Sequence, residues 1–352
     1  MCSRGSLRNG SSVITEYDSG PVLTQFGGKA SSLNLPVEET PFFEDSNPNS
    51  WKSVTAYGAD ASGRTDSSAA IQAAINSGAT TVCFPTGIYL IAHTIHIGGK
   101  VRMLKGFDSS LEPSGSIFGD SHSPLPFLTI DGGTSDVTLD HFRIGTSYPR
   151  SSRVAVFVLQ DSARPLVIRD SIFGGQPTTI ACQNTNRGTG TLFVENVSAA
   201  HWQIGFSQNV FARQINPESN NRTKITNNGG RLWILGLKTE GTSTNIETSR
   251  GGSTAVLGGL IYPVWKTSAD SVSFVIKDSR ASFIFAVSNY RPVASGGNFA
   301  IQIEETQHGL TKSLLSTSLP ARGLGSMIAL YTSGDPSPGS TKTDESADSR
   351  KK

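Results

Sequence analysis

Apolar and polar residues over residues 51–91 follow an order that predicts a strand, a helix and a second strand. Residues 53–57 form a short β-rich run that Gly58 ends. One apolar face of a helix is predicted by the three- and four-residue spacing of Ala70, Ile71, Ala74 and Ile75. Asp66 offers a carboxylate to the first free amides of this helix, and Gly78 suits a left-handed stop. We therefore expect a helix over residues 66–77.

Six later segments repeat an apolar trio, a small or polar bend and a second short strand. Their apolar anchors are Leu139, Ile168, Val194, Leu235, Leu257 and Ile284. The anchors are 29, 26, 41, 22 and 27 residues apart, which scatters around the length of one β-solenoid coil. The step of 41 predicts an inserted loop over residues 201–230, where function often collects.

The pieces YGA, TD, AAIQAAI and FPTGIY, separated by a glycine-containing loop, resemble the entry segment of the pectate-lyase-like right-handed parallel β-helix superfamily. The resemblance covers about the first third of the chain. It implies an all-β fold, a single-stranded right-handed parallel β-helix, with the N-terminal helix capping its open end. Extracellular or cell-surface placement follows only from this resemblance, because MCSRGSLRNG lacks the apolar core of a secretion signal.

Three segments are expected along the chain. Residues 1–50 resemble the extended connector before the second β-helix of tandem two-solenoid proteins, including tandem β-helix exo-β-1,3-glucanases, which implies an N-terminal β-helix partner domain. Residues 51–332 form the β-helix domain. Residues 333–352 are rich in Pro, Ser, Gly and charge, and we expect them to be disordered.

Composition narrows the partners. Thirty basic and 28 acidic residues give a net charge of +2, which favours neither nucleic acid nor a membrane surface as a partner. No apolar run approaches the roughly 20 residues of a membrane helix. Three cysteines without metal-type spacing predict neither a disulfide framework nor a metal centre.

The repeats align polar residues at one bend of successive coils. One column holds Asp140, Arg169 and Glu195, and the next holds His141, Asp170 and Asn196. Polar side chains commonly satisfy turn amides at such bends, and this structural interpretation is favoured. In the functional alternative, Asp170 and Glu195 lie about 5 Å apart on neighbouring coils as an acid and base pair, with Arg169 binding substrate.

Lys238 and Glu240 form the second candidate. They are two residues apart, so they share one face if this segment is a strand. An ordinary surface ion pair is one interpretation. In the other, Glu240 is the general acid of glycosidic cleavage and Lys238 positions an anionic substituent of the sugar.

Trp202 and Trp265 are expected to be exposed in loops, where their faces can stack against sugar rings. Trp233 precedes two aliphatic residues and is expected to point into the solenoid.

Two functional classes remain open. The first is a polysaccharide-degrading hydrolase or lyase with a groove on the β-helix face, and the second is a non-catalytic glycan-binding or structural module. The chain lacks the aspartate, Gly-His-Gly and Arg-Ile-Lys pieces that polygalacturonases of this superfamily carry. No cofactor is expected. Calcium is possible, because Asp140, Asp170 and Glu195 with Arg169 supply the residue types of a pectate-lyase site.

Overall fold

The computed structural model describes residues 16, 18–120, 122–133, 135–146, 154–175, 178–288, 297–319, 321–322 and 325–336. The predicted disordered tail lies outside the described residues from residue 337 onward. The same applies to residues 1–15 of the predicted arm.

Strands dominate the described part of the chain, which has one α-helix, α1 (Ser68–Asn76). The strands are β1 (Val22–Leu23), β2 (Lys52–Ser53), β3 (Ser62–Asp66), β4 (Thr81–Cys83), β5 (Ile88–Ile91), β6 (Ile95–Gly99), β7 (Met103–Pro113), β8 (Leu128–Gly133), β9 (Val137–Ile144), β10 (Val156–Gln160), β11 (Leu166–Phe173), β12 (Ile180–Asn184), β13 (Leu192–Ala199), β14 (Trp202–Ile204), β15 (Asn209–Pro217), β16 (Ile225–Asn228), β17 (Arg231–Glu240), β18 (Ile246–Ser249), β19 (Ser253–Tyr262), β20 (Val272–Lys277), β21 (Arg280–Ser288), β22 (Ile301–Gln307), β23 (Leu310–Leu315), β24 (Ala321–Arg322) and β25 (Gly325–Thr332).

The strands form two sheets that share the coils of a solenoid. Alternate strands β7, β9, β11 and onward to β21 build the long sheet, and β6, β8, β10 and onward to β22 build the second sheet. Pairing is parallel along both stacks and becomes antiparallel where β25 joins β21 and β23 joins β22. Apolar residues from both sheets fill the space between them. The all-β, parallel-solenoid prediction is confirmed.

The strand register tests the predicted repeats. Leu139, Ile168 and Val194 pair in register, as expected. The later anchors were displaced by one residue, because Val194 continues through Ala212 to Ile234 rather than to Leu235. Leu235 lies on the outer side of its strand. Its apolar side chain suggested a core position in the sequence.

The prediction of an inserted loop over residues 201–230 is wrong. This segment contains β14, β15 and β16, which form a complete further coil paired with its neighbours on both sides. The coil was missed because β15 carries Arg213, Gln214 and Asn216 and therefore lacks a recognisable second apolar run.

Strands of the long sheet bend at one position with left-handed backbone. These residues are His141 (φ 55°), Asp170 (50°), Asn196 (52°), Gln214 (59°), Gly236 (84°) and Gly258 (88°). Asn and Asp tolerate this conformation better than most residues, and glycine adopts it freely. The predicted polar column at a shared bend is therefore confirmed, and its chief cause is backbone geometry.

Helix α1 buries Ile71, Ala74 and Ile75 in the solenoid core. It begins at Ser68, two residues after the predicted start. Asp66 Oδ1 accepts hydrogen bonds from the backbone amides of Ser68 at 3.0 Å and Ala92 at 3.0 Å. The capping of the solenoid end by this helix stays a prediction. No helix in the described part of the chain has the length and apolar character needed to cross a membrane.

Asp66→Ala is expected to lower the free energy of unfolding by about 1 to 2 kcal/mol, because the Ser68 amide loses its acceptor and the Ala92 amide keeps only Ser68 Oγ. Urea denaturation of both proteins measures the difference. Asp66→Asn retains an acceptor oxygen and should recover most of the loss, whereas equal stability of wild type and Asp66→Ala would exclude this role.

The segment before residue 51 runs along the outside of the long sheet. Its strand β1 pairs in parallel with β25. Further along, Thr40 Oγ1 donates to Glu195 Oε1 at 2.5 Å, and the Arg102 guanidinium lies 4.1 Å from the Phe43 ring centre. This arm therefore crosses the sheet from its last coils toward its first. The division into arm, domain and tail stays a prediction.

The arm covers a column of outward-facing apolar side chains, which we call the outer stripe. Its members are Val167, Phe193, Phe211, Trp233 and Ala255, with Leu35 of the arm packed against them. The prediction that Trp233 points into the solenoid is wrong, since the adjacent Ile234 belongs to the core and Trp233 lies on the opposite side of the strand.

Candidate functional site

A shallow groove of about 330 Å³ crosses four coils beside the bend of the long sheet. Its polar lining comes from β11, β13, β15 and β17: Asp170, Ser171, Asn196, Ser198, Gln214, Asn216 and Lys238. We call it the bend groove. Hydroxyl, amide, carboxylate and ammonium groups thus face solvent along a path that runs across the strands.

Asp140, one position before the bend, is a buried charge with several partners. Its Oδ1 accepts from Arg169 Nε at 2.7 Å and lies 2.9 Å from His141 Nδ1, while Lys105 Nζ is 4.0 Å from Oδ2. Burial alone would raise the pKa of Asp140, but the bonds from Arg169 and His141 hold it below its ordinary value. Asp140 is therefore ionised, and its carboxylate holds the basic side chains around it in place.

The acid and base pair of Asp170 and Glu195 stays a prediction, and the two carboxylates accept hydrogen bonds from different residues. Glu195 lies opposite Arg169 in the strand register and accepts from Thr40. Asp170 belongs to the bend and accepts from Asn196 Nδ2 at 2.8 Å. The two carboxylates thus have separate hydrogen-bond donors, although both lie near the Arg169 guanidinium, and these contacts support the structural interpretation of both columns.

The contacts of Arg169 also differ from those expected of a substrate-binding residue. The column that contains it alternates in charge on successive coils: Lys105, Asp140, Arg169, Glu195 and Arg213. Burial alone would lower the pKa of Arg169, but its bond to Asp140 raises it. The Arg169 guanidinium thus interacts with carboxylates of the neighbouring coils rather than with a substrate.

Asp140, His141 and Asp170 bring three possible metal-ligating atoms within 4.8 Å of one another. Calcium requires six to eight oxygen ligands. Here one of the three groups is an imidazole, and the Asp140 carboxylate already accepts from Arg169. These residues do not fit the calcium site that the resemblance allowed.

Lys238 and Glu240 share one face of β17, as predicted, and their side chains meet. Lys238 Nζ donates to Glu240 Oε1 at 2.7 Å and also to Glu218 on the preceding coil. The Tyr262 hydroxyl on the next coil donates to the same Glu240 oxygen at 2.7 Å. We call these four residues the acidic cluster. It adjoins the bend groove, because Lys238 belongs to both.

Electrostatics in the acidic cluster argues against Glu240 as a proton donor. Hydrogen bonds from Lys238 and Tyr262 lower its pKa. A general acid needs a raised pKa so that it still carries a proton near neutral pH. Partial burial would lower the pKa of Lys238, but Glu218 and Glu240 raise it. The cluster thus keeps one ammonium between two carboxylates.

The two tryptophans predicted to be exposed, Trp202 and Trp265, differ in their exposure. Trp202 is 3% exposed and packs in the core, with its ring centre 6.3 Å from that of Phe173, so the prediction of an exposed Trp202 is wrong. Its strand β14 pairs on both sides and turns the side chain inward. Trp265 is 57% exposed and follows β19 by three residues, as expected for a loop residue.

Sequence reasoning missed Glu218 and Gln214, and it did not pair Tyr262 with Glu240. A signal for Glu218 and Tyr262 was present, because Glu218, Glu240 and Tyr262 follow one another at 22-residue intervals, the length of one coil here. Gln214 was hidden in the coil that was taken for a loop.

The fold and the groove define a parallel β-solenoid protein with a polar path across its coils. A family model for rhamnogalacturonase A/epimerase, pectate lyase-like, matches residues 51–308. The chain belongs to this family, which confirms the resemblance seen in the entry segment.

Two curated relatives are fungal. A glucan 1,3-beta-glucosidase of Cochliobolus carbonum is 30% identical over 125 residues, which cover 32% of this chain and 16% of the relative. A probable glucan endo-1,3-beta-glucosidase of Arthroderma benhamiae is 29% identical over 110 residues, 30% of this chain and 12% of the relative. The chain therefore matches less than a fifth of the length of either relative.

Two solved structures are also similar at low identity. ORF18 of Geobacillus virus E2 and PfbA, a surface adhesin of Streptococcus pneumoniae, are each 12% identical with a TM-score of 0.35. The first match covers 68% of this chain and 62% of the viral chain, and the second covers 78% of this chain and 99% of PfbA. A TM-score of this size says nothing about function.

Proposed function

We propose that this protein is carbohydrate-active and binds a linear polysaccharide across its coils in the bend groove. The observation that carries the proposal is the run of polar side chains from four successive coils along one open path. A polysaccharide repeats its hydroxyl groups along its length, so it can meet the same kind of side chain on each coil. The fungal relatives, named as glucan-directed enzymes, support the same substrate class.

The charges favour a neutral glycan over a polyuronate. Lys238 is the cation of the groove lining, and Glu218 and Glu240 already accept its hydrogen bonds. The earlier idea that Lys238 positions an anionic substituent therefore lacks support. Asp170 adds a negative charge to the lining, which opposes a carboxylate-bearing sugar. We accordingly assign a neutral β-glucan as the ligand class.

Hydrolysis is the reaction that we add to this proposal, with the names of the glucanase relatives as its support. Elimination requires an acidic sugar, which the charge pattern disfavours. Glu218 and Glu240 lie beside the groove, and their ionised forms suit a base or an electrostatic stabiliser of positive charge rather than an acid. Placement in an extracellular or cell-surface setting belongs to the same proposal, since polysaccharides of this class occur there.

Affinity electrophoresis in gels that contain soluble β-1,3-glucan or polygalacturonate tests the binding proposal. We expect the glucan to retard the protein and polygalacturonate to leave it unaffected. Combined replacement of Asn196 and Gln214 by alanine should weaken glucan binding up to about tenfold, because two hydrogen-bonding side chains are lost. Asn49→Ala removes an exposed amide from the arm and serves as the matched control.

Product analysis tests the reaction separately. Hydrolysis releases new reducing ends without unsaturated sugars, and elimination releases unsaturated ends. Binding without either product would support a glycan-binding module, the second functional class. Absence of retardation by any of a varied set of polysaccharides would overturn the proposed function.

A further inference from the structure

The first complete coils contain a β-bulge at the bend. Strands β7 and β9 pair Lys105 with Asp140 and then resume only at Ser109 with Phe142. Three residues of β7, namely 106–108, therefore stand opposite the single bend residue His141. Bulges of this kind redirect side chains and are common next to functional sites.

The bulge holds Phe107 in an unfavourable backbone conformation. Its backbone is left-handed with φ 48°, and Asp108 follows at φ 63°. For a bulky residue this conformation is a rare outlier. Phe107 is also 43% exposed. The later coils turn the same bend with a single residue such as His141 or Asp170, whereas the preceding coil places residues 84–87 opposite residues 106–109.

Other aromatic side chains gather beside Phe107. The Trp51 ring centre lies 6.4 Å from that of Phe107, with the planes inclined by 32°. Phe42, 76% exposed, lines a small hollow of about 120 Å³ together with Trp51 and Lys105. Lys105 Nζ lies 5.5 Å from the Trp51 ring centre and 5.7 Å from the Phe107 ring centre. Flat apolar faces thus surround one hydrogen-bond donor.

The aromatic group lies along the same bend as the bend groove, two coils from its nearest lining residue. Along the bend, Phe107 is followed by His141 on the next coil and by Asp170 on the one after. Asp170 lines the groove. Two coils correspond to about 10 Å at ordinary strand spacing, a distance that a short oligosaccharide spans.

We propose that Phe107 and Trp51 form a terminal subsite that stacks against a pyranose ring of the glycan in the bend groove, with Lys105 donating to a ring hydroxyl. This inference rests on the proposed function and adds the position of one subsite to it. A pyranose ring stacked on the two rings would cover the exposed side chain of Phe107.

Calorimetric titration with β-1,3-gluco-oligosaccharides of increasing length tests the subsite. Wild-type affinity should rise with length until the oligosaccharide reaches from the groove to Phe107. Phe107→Ala should leave short oligosaccharides unaffected and weaken the longer ones by about five- to tenfold, the usual range for one aromatic contact. Phe107→Tyr keeps the ring and should restore the dependence on length.

Phe206→Ala is the matched control, because Phe206 is 79% exposed and lies in the loop after β14. Melting curves identify a variant that fails to fold, and in that case Trp51→Ala gives the same test at the second ring of the subsite. A Phe107→Ala variant with the full dependence on length would overturn the subsite while the proposed function stands. No binding of any oligosaccharide by the wild type would overturn both.

Discussion

Phe211→Ala is expected to lower the free energy of unfolding by about 3 to 5 kcal/mol, although Phe211 lies outside the solenoid core. Its side chain is 1% exposed, and its ring centre lies 5.6 Å from that of Phe193 and 6.3 Å from that of Trp233. Alanine would leave a cavity between the sheet and the arm. Guanidinium denaturation followed by circular dichroism measures the loss.

The arm can be tested as the cover of this stripe with a double-mutant cycle. Leu35 of the arm packs on the outer stripe, so Leu35→Ala and Phe211→Ala should lose less together than the sum of their separate losses. Phe206→Ala, at a residue 79% exposed, should change stability by less than about 0.5 kcal/mol. Strictly additive losses would show that the arm does not contribute to the burial of Phe211.

Much of the fold could be predicted because each coil buries similar side chains at equivalent positions. Leu139, Ile168 and Val194 stand at such positions, and their apolar neighbours mark the strand. Ala212 takes the same inward position, but the polar Arg213, Gln214 and Asn216 follow it, so this coil lacks a recognisable second apolar run. The arm was harder to predict, since its contacts come from residues far away in the sequence.

The site was predicted in part. The pairing of Lys238 with Glu240 follows from two-residue spacing on a strand, and the structure contains it. The lowered pKa of Glu240 could not be predicted from this spacing. It depends on contacts with the coils on either side, which supply Glu218 and Tyr262. Trp202 was misplaced for a similar reason. Its position beside polar residues suggested a loop, whereas pairing with strands one coil away decides its burial.

Lys224 gives the molecule a measurable dependence of stability on pH. Its side chain is fully buried, and Nζ donates to Gly241 O at 3.1 Å and Asn245 Oδ1 at 2.5 Å. Burial lowers the pKa of Lys224 from 10.5 to about 7, although Glu218 and Glu240 oppose the shift. The neutral amine keeps two N–H donors, which match these two acceptors.

Between pH 7 and about 10, the unfolded chain therefore binds a proton at Lys224 that the folded protein mostly lacks. Stability rises with pH wherever the unfolded state binds more protons. The contribution of this lysine is thus least favourable below pH 7 and improves as the pH approaches 10.5. The direction is opposite to that of a lysine whose pKa is raised by a carboxylate, such as Lys238.

We expect the stability of the wild type, relative to Lys224→Met, to increase by about 3 kcal/mol between pH 7 and pH 9.5. Urea denaturation of both proteins at several pH values measures this difference, and comparison with the variant cancels the other titrating groups. Lys100→Met, at an exposed turn, is the control and should give a profile parallel to the wild type. Parallel profiles for Lys224→Met and the wild type would show that Lys224 remains charged inside the folded solenoid, with Gly241 O and Asn245 holding an ammonium instead of an amine.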